Sequence, residues 1–268
     1  MEVREGDCLD LLRAMESASV DLIVTSPPYA DMKTYVDDRG IHPDRYVEWF
    51  LPIIQELERV LKPTGSFILN INDKVVDGFR HPYVYQLVCA IHERTGFKMW
   101  ERLFWNKVKS LAHTKRFGDR VEHLFWFTKG KGFVCDLNPM RTPYTEKSLE
   151  RFKTPLIVRY NRESERPERR HKQWKPHPDG ALPSTLVTVC AQSKRVHDQH
   201  VAVFPEQLVE GFVLAASTEG ALVLDPFCGT GTTGVVAVRH GRRFLGMEKQ
   251  PVYAEFARKR IAETKISA

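Results

Sequence analysis

The chain has 268 residues, 42% of them hydrophobic and 28% charged, with a net charge of +6; this is the composition of an ordinary globular protein, and the length suits one large α/β domain or one domain with a sizeable insertion. No apolar run approaches the roughly 20 residues that span a bilayer, and the opening "MEVREGDCLDLL" lacks the charged, apolar and small-residue order of a secretory signal, so a cytoplasmic protein with no membrane partner is expected. The five cysteines, Cys8, Cys89, Cys135, Cys190 and Cys228, are scattered without zinc or redox spacing, which predicts reduced thiols and no metal.

In chain order, "VDLIVTSPPYADM" from Val20 to Met32 begins as a buried strand and stops in two prolines and an aromatic ring. Tyr46, Trp49, Phe50, Ile53, Leu57, Val60 and Leu61 then recur at helical spacing, with Pro52 marking a kink or the join of two shorter helices and Pro63 with Gly65 ending the run. "SFILNI" reads as a strand, and "HPYVYQLVCAIHERTG" as a helix with Val84, Leu87, Val88 and Ile91 inward. An aromatic strand pair follows, "FKMWERLFW" and "EHLFWFTKG", separated by a basic loop. From about Asn106 to Val196 the regular period is lost, apart from "VEHLFWFTK". Order resumes with the helix "FPEQLVEGFVLAAS", which buries Leu208, Val209, Phe212 and Ala216. Strand "ALVLDPF", loop "CGTGTTG", helix "TTGVVAVRHG", strand "RRFLGME" and helix "PVYAEFARKRIAE" complete the chain.

The charge is unevenly placed. Between Arg141 and Lys175 stand eleven Lys or Arg against five Glu, an excess of +6 that equals the whole chain's. Such concentration points to a polyanionic partner, because each cation that neutralises a phosphate releases a counterion. Phe152, Ile157, Val158, Tyr160 and Trp174 are interleaved with these charges, which favours an inserted recognition element over a disordered linker.

"GTGTTG", Gly229 to Gly234, is a G-x-G-x-x-G that follows a predicted strand and opens a predicted helix, the context in which glycines permit a tight turn and close approach of a ligand. Glu248 lies nineteen residues after Gly229, at the end of the next strand, where a carboxylate can grip both ribose hydroxyls. A nucleoside-containing cofactor is expected. One βαβ unit is not a stable sheet, so its other strands must come from the N-terminal half. The "SPPY" turn and the glycine loop would then share the carboxyl rim of one sheet, where ligands gather.

A Pro-Pro turn is stiff and presents carbonyl oxygens without competing donors. Ser26 adds a hydroxyl that can accept, and Tyr29 a flat ring for stacking. Two acceptors, the Ser26 hydroxyl and the Pro27 carbonyl, suit a flat ligand whose exocyclic amine has two hydrogens to offer. They would turn its lone pair out of the ring plane for attack.

"TSPPY" and "LDPFCGTGTTG" resemble the DNA amino-methyltransferases that use S-adenosylmethionine, specifically the permuted β group, in which the catalytic motif precedes the cofactor motif. The resemblance covers nearly the whole chain. It implies an α/β fold: a Rossmann-like, doubly wound, mostly parallel sheet with circularly permuted motif order and an inserted target-recognition region. Residues 1–106 would form the catalytic half, 107–196 a mixed segment with the closing strand and recognition region, and 197–268 the cofactor half of the same domain. It makes Ser26, Pro27, Pro28 and Tyr29 the catalytic loop. Asp225, Pro226, Phe227, Gly229, Thr230, Gly231, Thr232 and Thr233 become the methionine-binding turn, and Glu248 the ribose ligand. Asp7 and Cys8 of "GDCLDLL" would lie beside the adenine. Phe204, Pro205 and Glu206 of "HVAVFPEQL" would line the methionine pocket, with Val201, after His200, standing where that pattern often has proline.

Ser26 in the first catalytic position favours transfer to N4 of a flipped cytosine in double-stranded DNA, with N6 of adenine as the alternative. Lys107, Lys109, Lys115 and Arg116, with Arg159, Arg162, Arg169, Arg170 and Lys172, are the candidates for DNA contact. A homodimer and a cognate restriction endonuclease are further implied partners. A nicotinamide-dependent oxidoreductase would explain the glycine loop but leave "TSPPY" and the basic segment idle, and a catalytically silent DNA-binding protein would leave the intact Ser26–Tyr29 loop unused. A ring-carbon methyltransferase would need a nucleophilic cysteine, and no Pro-Cys pair is present.

Overall fold

The computed structural model describes residues 1–30, 40–108, 115, 117–153, 156–160, 168–172, 175–190 and 204–266, with 156–160 and 168–172 described by backbone alone. The strands are β1 (Glu2–Glu5), β2 (Val20–Thr25), β3 (Leu61–Ile71), β4 (Val75–Val76), β5 (Phe79–Arg80), β6 (Lys98–Asn106), β7 (Val121–Thr128), β8 (Leu156–Tyr160), β9 (Glu168–Lys172), β10 (Leu186–Thr188), β11 (Leu222–Asp225) and β12 (Arg243–Glu248). The helices are α1 (Cys8–Arg13), α2 (Pro43–Val60), α3 (Tyr83–Arg94), α4 (Glu146–Phe152), α5 (Glu206–Ala216), α6 (Thr232–Arg239) and α7 (Pro251–Ala262). Among them none is long and apolar enough to cross a membrane.

Eight strands make one sheet in the order β1-β12-β11-β2-β3-β7-β6-β10. All neighbours pair in parallel except β7, which runs against both β3 and β6. Both ends of the chain therefore supply the middle of the sheet: Leu22 and Ile23 pair with Val223 and Leu224. The central strands carry apolar residues on both faces, as strands covered on both sides do; Leu22, Ile23, Val24, Phe67, Ile68, Leu69, Val223 and Leu224 are all fully buried.

The predicted α2 forms as one helix through Pro52. A proline removes one backbone hydrogen bond, but Tyr46, Phe50, Leu51, Ile53, Ile54, Leu57 and Val60 bury a continuous face on both sides of it, and packing outweighs the loss. The strand expected over "SFILNI" starts earlier, at Leu61. Its register against β2 jumps from Val20↔Leu61 to Leu22↔Ser66, so Lys62, Pro63, Thr64 and Gly65 are accommodated as a bulge. A Cβ at Gly65 would lie 2.8 Å from the Asp21 carbonyl oxygen, a close backbone approach that glycine allows.

Contacts divide the chain into two compact units, Met1–Asp136 with Thr185–Ala268, and Leu137–Ser184. The second contains α4, with Thr145 capping its N-terminus, the antiparallel pair β8–β9, and a Thr142–Ala181 bridge.

Candidate active site

From β11 the chain runs through α6 outward to β12, and from β2 through α2 in the opposite direction to β3. A parallel sheet splays its loops apart at such a switch, leaving a crevice beyond the carboxyl ends of the two strands. The "SPPY" loop follows β2 and the glycine loop follows β11. Thr25 Oγ1 at the end of one donates to Asp225 Oδ1 at the end of the other over 2.7 Å.

Asp225 holds the glycine loop together. Besides Thr25 it accepts from Thr233 Oγ1 at 2.7 Å and from the Phe227 amide at 3.1 Å. Burial nonetheless pushes its carboxyl up to about 6, the three hydrogen bonds only partly opposing it. Gly229 and Gly231 adopt φ of +52° and +81°, left-handed conformations that favour glycine, and Gly231 is the N-cap of α6. Pro226, Thr230, Thr232 and Thr233 are buried. Phe227 packs against Trp49 and Phe50, with ring centroids 6.0 and 5.9 Å apart. Arg260 ties the loop to α7 by donating to the Thr230 carbonyl and Thr232 Oγ1.

Glu248, 8% exposed, sits beside this loop, and burial raises its carboxyl above the usual range. Its two oxygens accept from the Gly229 and Gln250 amides at 2.8 and 2.9 Å. The Lys249 amide also hydrogen-bonds to this carboxylate, and of its roughly four acceptor positions one is left for a hydroxyl donor. The Gly6 amide donates to the Glu248 carbonyl, which brings Asp7 and Cys8 to the same rim. Asp7 caps α1 through the Leu9 amide, and burial pushes the Cys8 thiol up to about 12. Acceptor oxygens, left-handed glycines and an apolar flank suit an adenosine-bearing cofactor.

On the other side of the crevice, Ser26 Oγ lies 3.3 Å from Tyr29 Oη, and Tyr29 Oη donates to Glu122 Oε2 at 2.6 Å. Asn70 Nδ2 donates to the same Oε2 at 3.1 Å, and Lys107 Nζ to Oε1 at 3.0 Å. Burial, followed by the Glu122 charge, raises the Tyr29 phenol well above its ordinary value. Tyr46 Oη donates to the Pro28 carbonyl at 2.8 Å, so α2 holds the proline turn from behind.

Several residues singled out in the sequence have a different setting. Both oxygens of Glu206 are paired, with Arg239 and Arg260 at 2.6 Å each; burial opposes its ionisation, but the two guanidinium groups outweigh it and lower its pKa. Glu206 thus links α5 to α6 and α7. Pro205 is the N-cap of α5, and the Phe204 ring lies 6.5 Å from Trp105. Lys107 is engaged with Glu122 in the hydrogen-bonded group around Tyr29, and Lys115 is exposed. Arg159, Arg169, Arg170 and Lys172 occupy β8 and β9, with Arg159 opposite Arg169. Lys109, Arg116, Arg162, His200 and Val201 lie outside the described residues.

Glu122 and Asn70 escaped the sequence reading. The available signal was a carboxylate opening the apolar strand "VEHLFWFT" and an amide inside "SFILNI", each a polar group where only a partnered one is tolerated. Among the described residues no group of three or more His, Cys, Asp or Glu is placed to hold a metal.

Comparison with known proteins decides what this rim belongs to: a family model described as DNA methylase, of the N6/N4 methyltransferase type, matches residues 20–259. The chain belongs to the N6/N4 DNA methylase family. The methylase is 30% identical over 259 residues to the type II methyltransferase M.BglII of Bacillus subtilis, covering 96% of this chain and 67% of that protein. It is 25% identical to the type II methyltransferase M.PvuII of Proteus hauseri, covering 98% and 84%. Among solved structures, the PvuII DNA methyltransferase, cytosine-N4-specific, shares the fold of the methylase with a TM-score of 0.74 at 23% identity, covering 99% of this chain and 88% of that one. A Thermus thermophilus protein complexed with S-adenosyl-L-methionine matches it with a TM-score of 0.63 at 25% identity, covering 98% and 95%.

Proposed function

We propose that this methylase transfers the methyl group of S-adenosylmethionine to N4 of a cytosine flipped out of double-stranded DNA. The observation that carries the reading is the meeting of the Ser26–Tyr29 loop and the Gly229–Gly231 loop at one switch point, tied by the Thr25–Asp225 hydrogen bond. A Thermus thermophilus relative bound to S-adenosylmethionine supports the cofactor. Serine at position 26 and a fold neighbour named cytosine-N4-specific support the base.

Asp7, Cys8, Asp225, Phe227, Gly229, Thr230, Gly231, Thr232, Thr233 and Glu248 hold the cofactor, Glu248 through a ribose hydroxyl, while Pro226 stiffens the turn and Phe204 and Pro205 close the methionine side. The cofactor supplies an electrophilic methyl group on a sulfonium. Ser26 Oγ and the Pro27 carbonyl accept the two amine hydrogens, which withdraws the nitrogen lone pair from the ring and aims it at that methyl. Tyr29 stacks on the base and recovers part of the few kcal/mol that unstacking costs. Lys115 and the basic strands β8 and β9 neutralise phosphates, giving affinity that falls with salt. Relatives named type II support a cognate endonuclease, whereas a relative named an orphan methyltransferase, M.BamHII of Bacillus amyloliquefaciens, supports solitary action. Sedimentation checks the homodimer.

The test is to incubate the protein with S-adenosylmethionine and unmodified genomic DNA, hydrolyse to nucleosides and separate them by mass spectrometry. N4-methyldeoxycytidine is expected. N6-methyldeoxyadenosine would overturn the base assignment, and no methylated nucleoside would overturn the activity. Ser26→Ala should retain cofactor and DNA binding and lose methyl transfer by about 100-fold or more.

A further inference from the structure

Three donors converge on one buried carboxylate beside the catalytic loop. Tyr29 Oη, Asn70 Nδ2 and Lys107 Nζ all point at Glu122, at 2.6, 3.1 and 3.0 Å. They come from the loop after β2, from β3 and from the end of β6, and Glu122 itself opens β7. Four separate segments are thus spent on holding one side chain that is 8% exposed. A buried charge is retained at such cost only where every partner is in place.

The direction of the hydrogen bonds follows from counting protons. A phenol has one hydrogen, and Tyr29 gives it to Glu122. The bond between Ser26 Oγ and Tyr29 Oη at 3.3 Å must then run the other way, with Ser26 donating its single hydrogen to Tyr29. Both Ser26 lone pairs are left to face the crevice, and Ser26 meets the substrate as an acceptor only. Were Tyr29 free to donate to Ser26, the serine hydroxyl could turn its hydrogen toward the substrate and repel an amine. Burial keeps the phenol protonated, so its one hydrogen stays available for the bond to Glu122.

We propose that Glu122 is the positioning residue of this methylase: through Tyr29 it orients the Ser26 hydroxyl as an acceptor for an exocyclic amine, and it is where the proton released by that amine comes to rest. The inference rests on the amine-methylation reading given above. Once the amine nitrogen has gained a methyl group it carries one hydrogen too many. That proton passes to Ser26 Oγ as the serine hydrogen moves to Tyr29 Oη and the tyrosine hydrogen moves to Glu122 Oε2. Serine and tyrosine end neutral as they began, the amine is neutral, and Glu122 ends as a carboxylic acid beside the Lys107 cation. Among the described residues the titratable partners of Glu122 are the Lys107 cation, just after β6, and the neutral Tyr29 phenol from the β2 loop; Asn70 from β3 does not titrate.

Single-turnover methyl transfer is measured for wild type, Glu122→Gln, Tyr29→Phe and the double variant, with dissociation constants for S-adenosylmethionine and DNA and the melting temperature of each. Glutamine is isosteric, but its amide must set a donor against either Lys107 or Tyr29. The expected result is a rate at least tenfold lower in Glu122→Gln and in Tyr29→Phe, with both dissociation constants within twofold of wild type. The double variant should be no slower than the worse single one, because two cuts in one chain do not add. Glu122→Asp, which keeps the charge, should recover part of the rate. A Glu122→Gln rate within twofold of wild type, or losses that multiply in the double variant, overturns the proposal. Should Glu122→Gln fail to fold, Tyr29→Phe decides alone: it keeps the ring and removes only the link, so an unchanged rate overturns the proposal. A wild-type protein that methylates no base at all overturns the amine-methylation reading instead.

Discussion

Asp225→Asn should make the ligand-free protein more stable. The wild-type carboxyl is buried at the end of β11 and has three donors, yet its pKa stands at about 6 against 3.8 for a free aspartate. The three hydrogen bonds are therefore insufficient to offset the loss of water around the charge. A gap of about two pH units at about 1.4 kcal/mol each is worth about 3 kcal/mol in favour of a neutral side chain. Asparagine supplies one: its Oδ1 keeps the bonds from Thr25 and Phe227, and its amide donates to Thr233 Oγ1, which can accept. The sign with pH is set by proton counting. Between pH 3.8 and about 6 the native carboxyl holds a proton that the unfolded chain has released, so wild-type stability falls as pH rises through that window and the loss is complete above it. Urea unfolding followed by circular dichroism from pH 4 to pH 8 is the assay. The variant should gain up to about 3 kcal/mol at pH 8 and converge with wild type toward pH 4. A variant of equal or lower stability at pH 8, or an unchanged dependence on pH, would refute the reasoning.

Gly234→Ala should destabilise despite the helix propensity it adds: its Cβ would lie 2.4 Å from Ile261 Cδ1 and 2.6 Å from Phe244 Cε1, both buried, so an overpacking cost of about 1–3 kcal/mol exceeds the gain of about 1 kcal/mol, and the melting temperature should drop. Glu206→Gln should cost about 1–2 kcal/mol by unpairing Arg239 and Arg260. Because the native carboxyl titrates below its ordinary 4.5, that stabilisation is present above pH 4.5 and fades on further acidification, so chemical denaturation should find the two proteins converging at low pH. Thiol labelling at pH 8 with peptide mapping should modify Cys89, Cys135 and Cys190, which are exposed, and spare the buried Cys8 and Cys228 until the protein unfolds; early labelling of Cys228 would contradict the packing of the glycine loop.

The strand and helix order of both ends was legible because those elements carry long apolar runs with one dominant period: β2, α2, α3, α5, β11, α6, β12 and α7 all fall where the pattern places them. The motif loops were legible because prolines and left-handed glycines are costly to place anywhere else. Strands β1 and β10 have four and three residues, too few for alternation to show, and they join the sheet by pairing with β12 and β6 rather than by their own propensity. Glu122 and Asn70 are a different kind of omission. They stand 52 residues apart, and only the antiparallel pairing of β3 with β7, which sets Asn70 against Leu124, brings them together. Glu206 shows the converse, since its place in a recognisable block hid the two arginines, 33 and 54 residues away, that occupy it.

The centre of this sheet is stitched from segments made far apart in time. Thr25 and Asp225, joined across the site, are 200 residues apart in sequence, a span that takes about 10–40 s to synthesise at 5–20 residues per second. Throughout that interval β2 can pair with β3 on one side only. Its other edge, Leu22, Ile23 and Val24, all fully buried in the finished molecule, remains an open apolar template of the kind that invites aggregation. The arrival of β11 closes that edge, with only β12 still to be made, so interrupted synthesis should yield a sticky chain rather than a merely inactive one, and demand for chaperones should peak before β11 emerges.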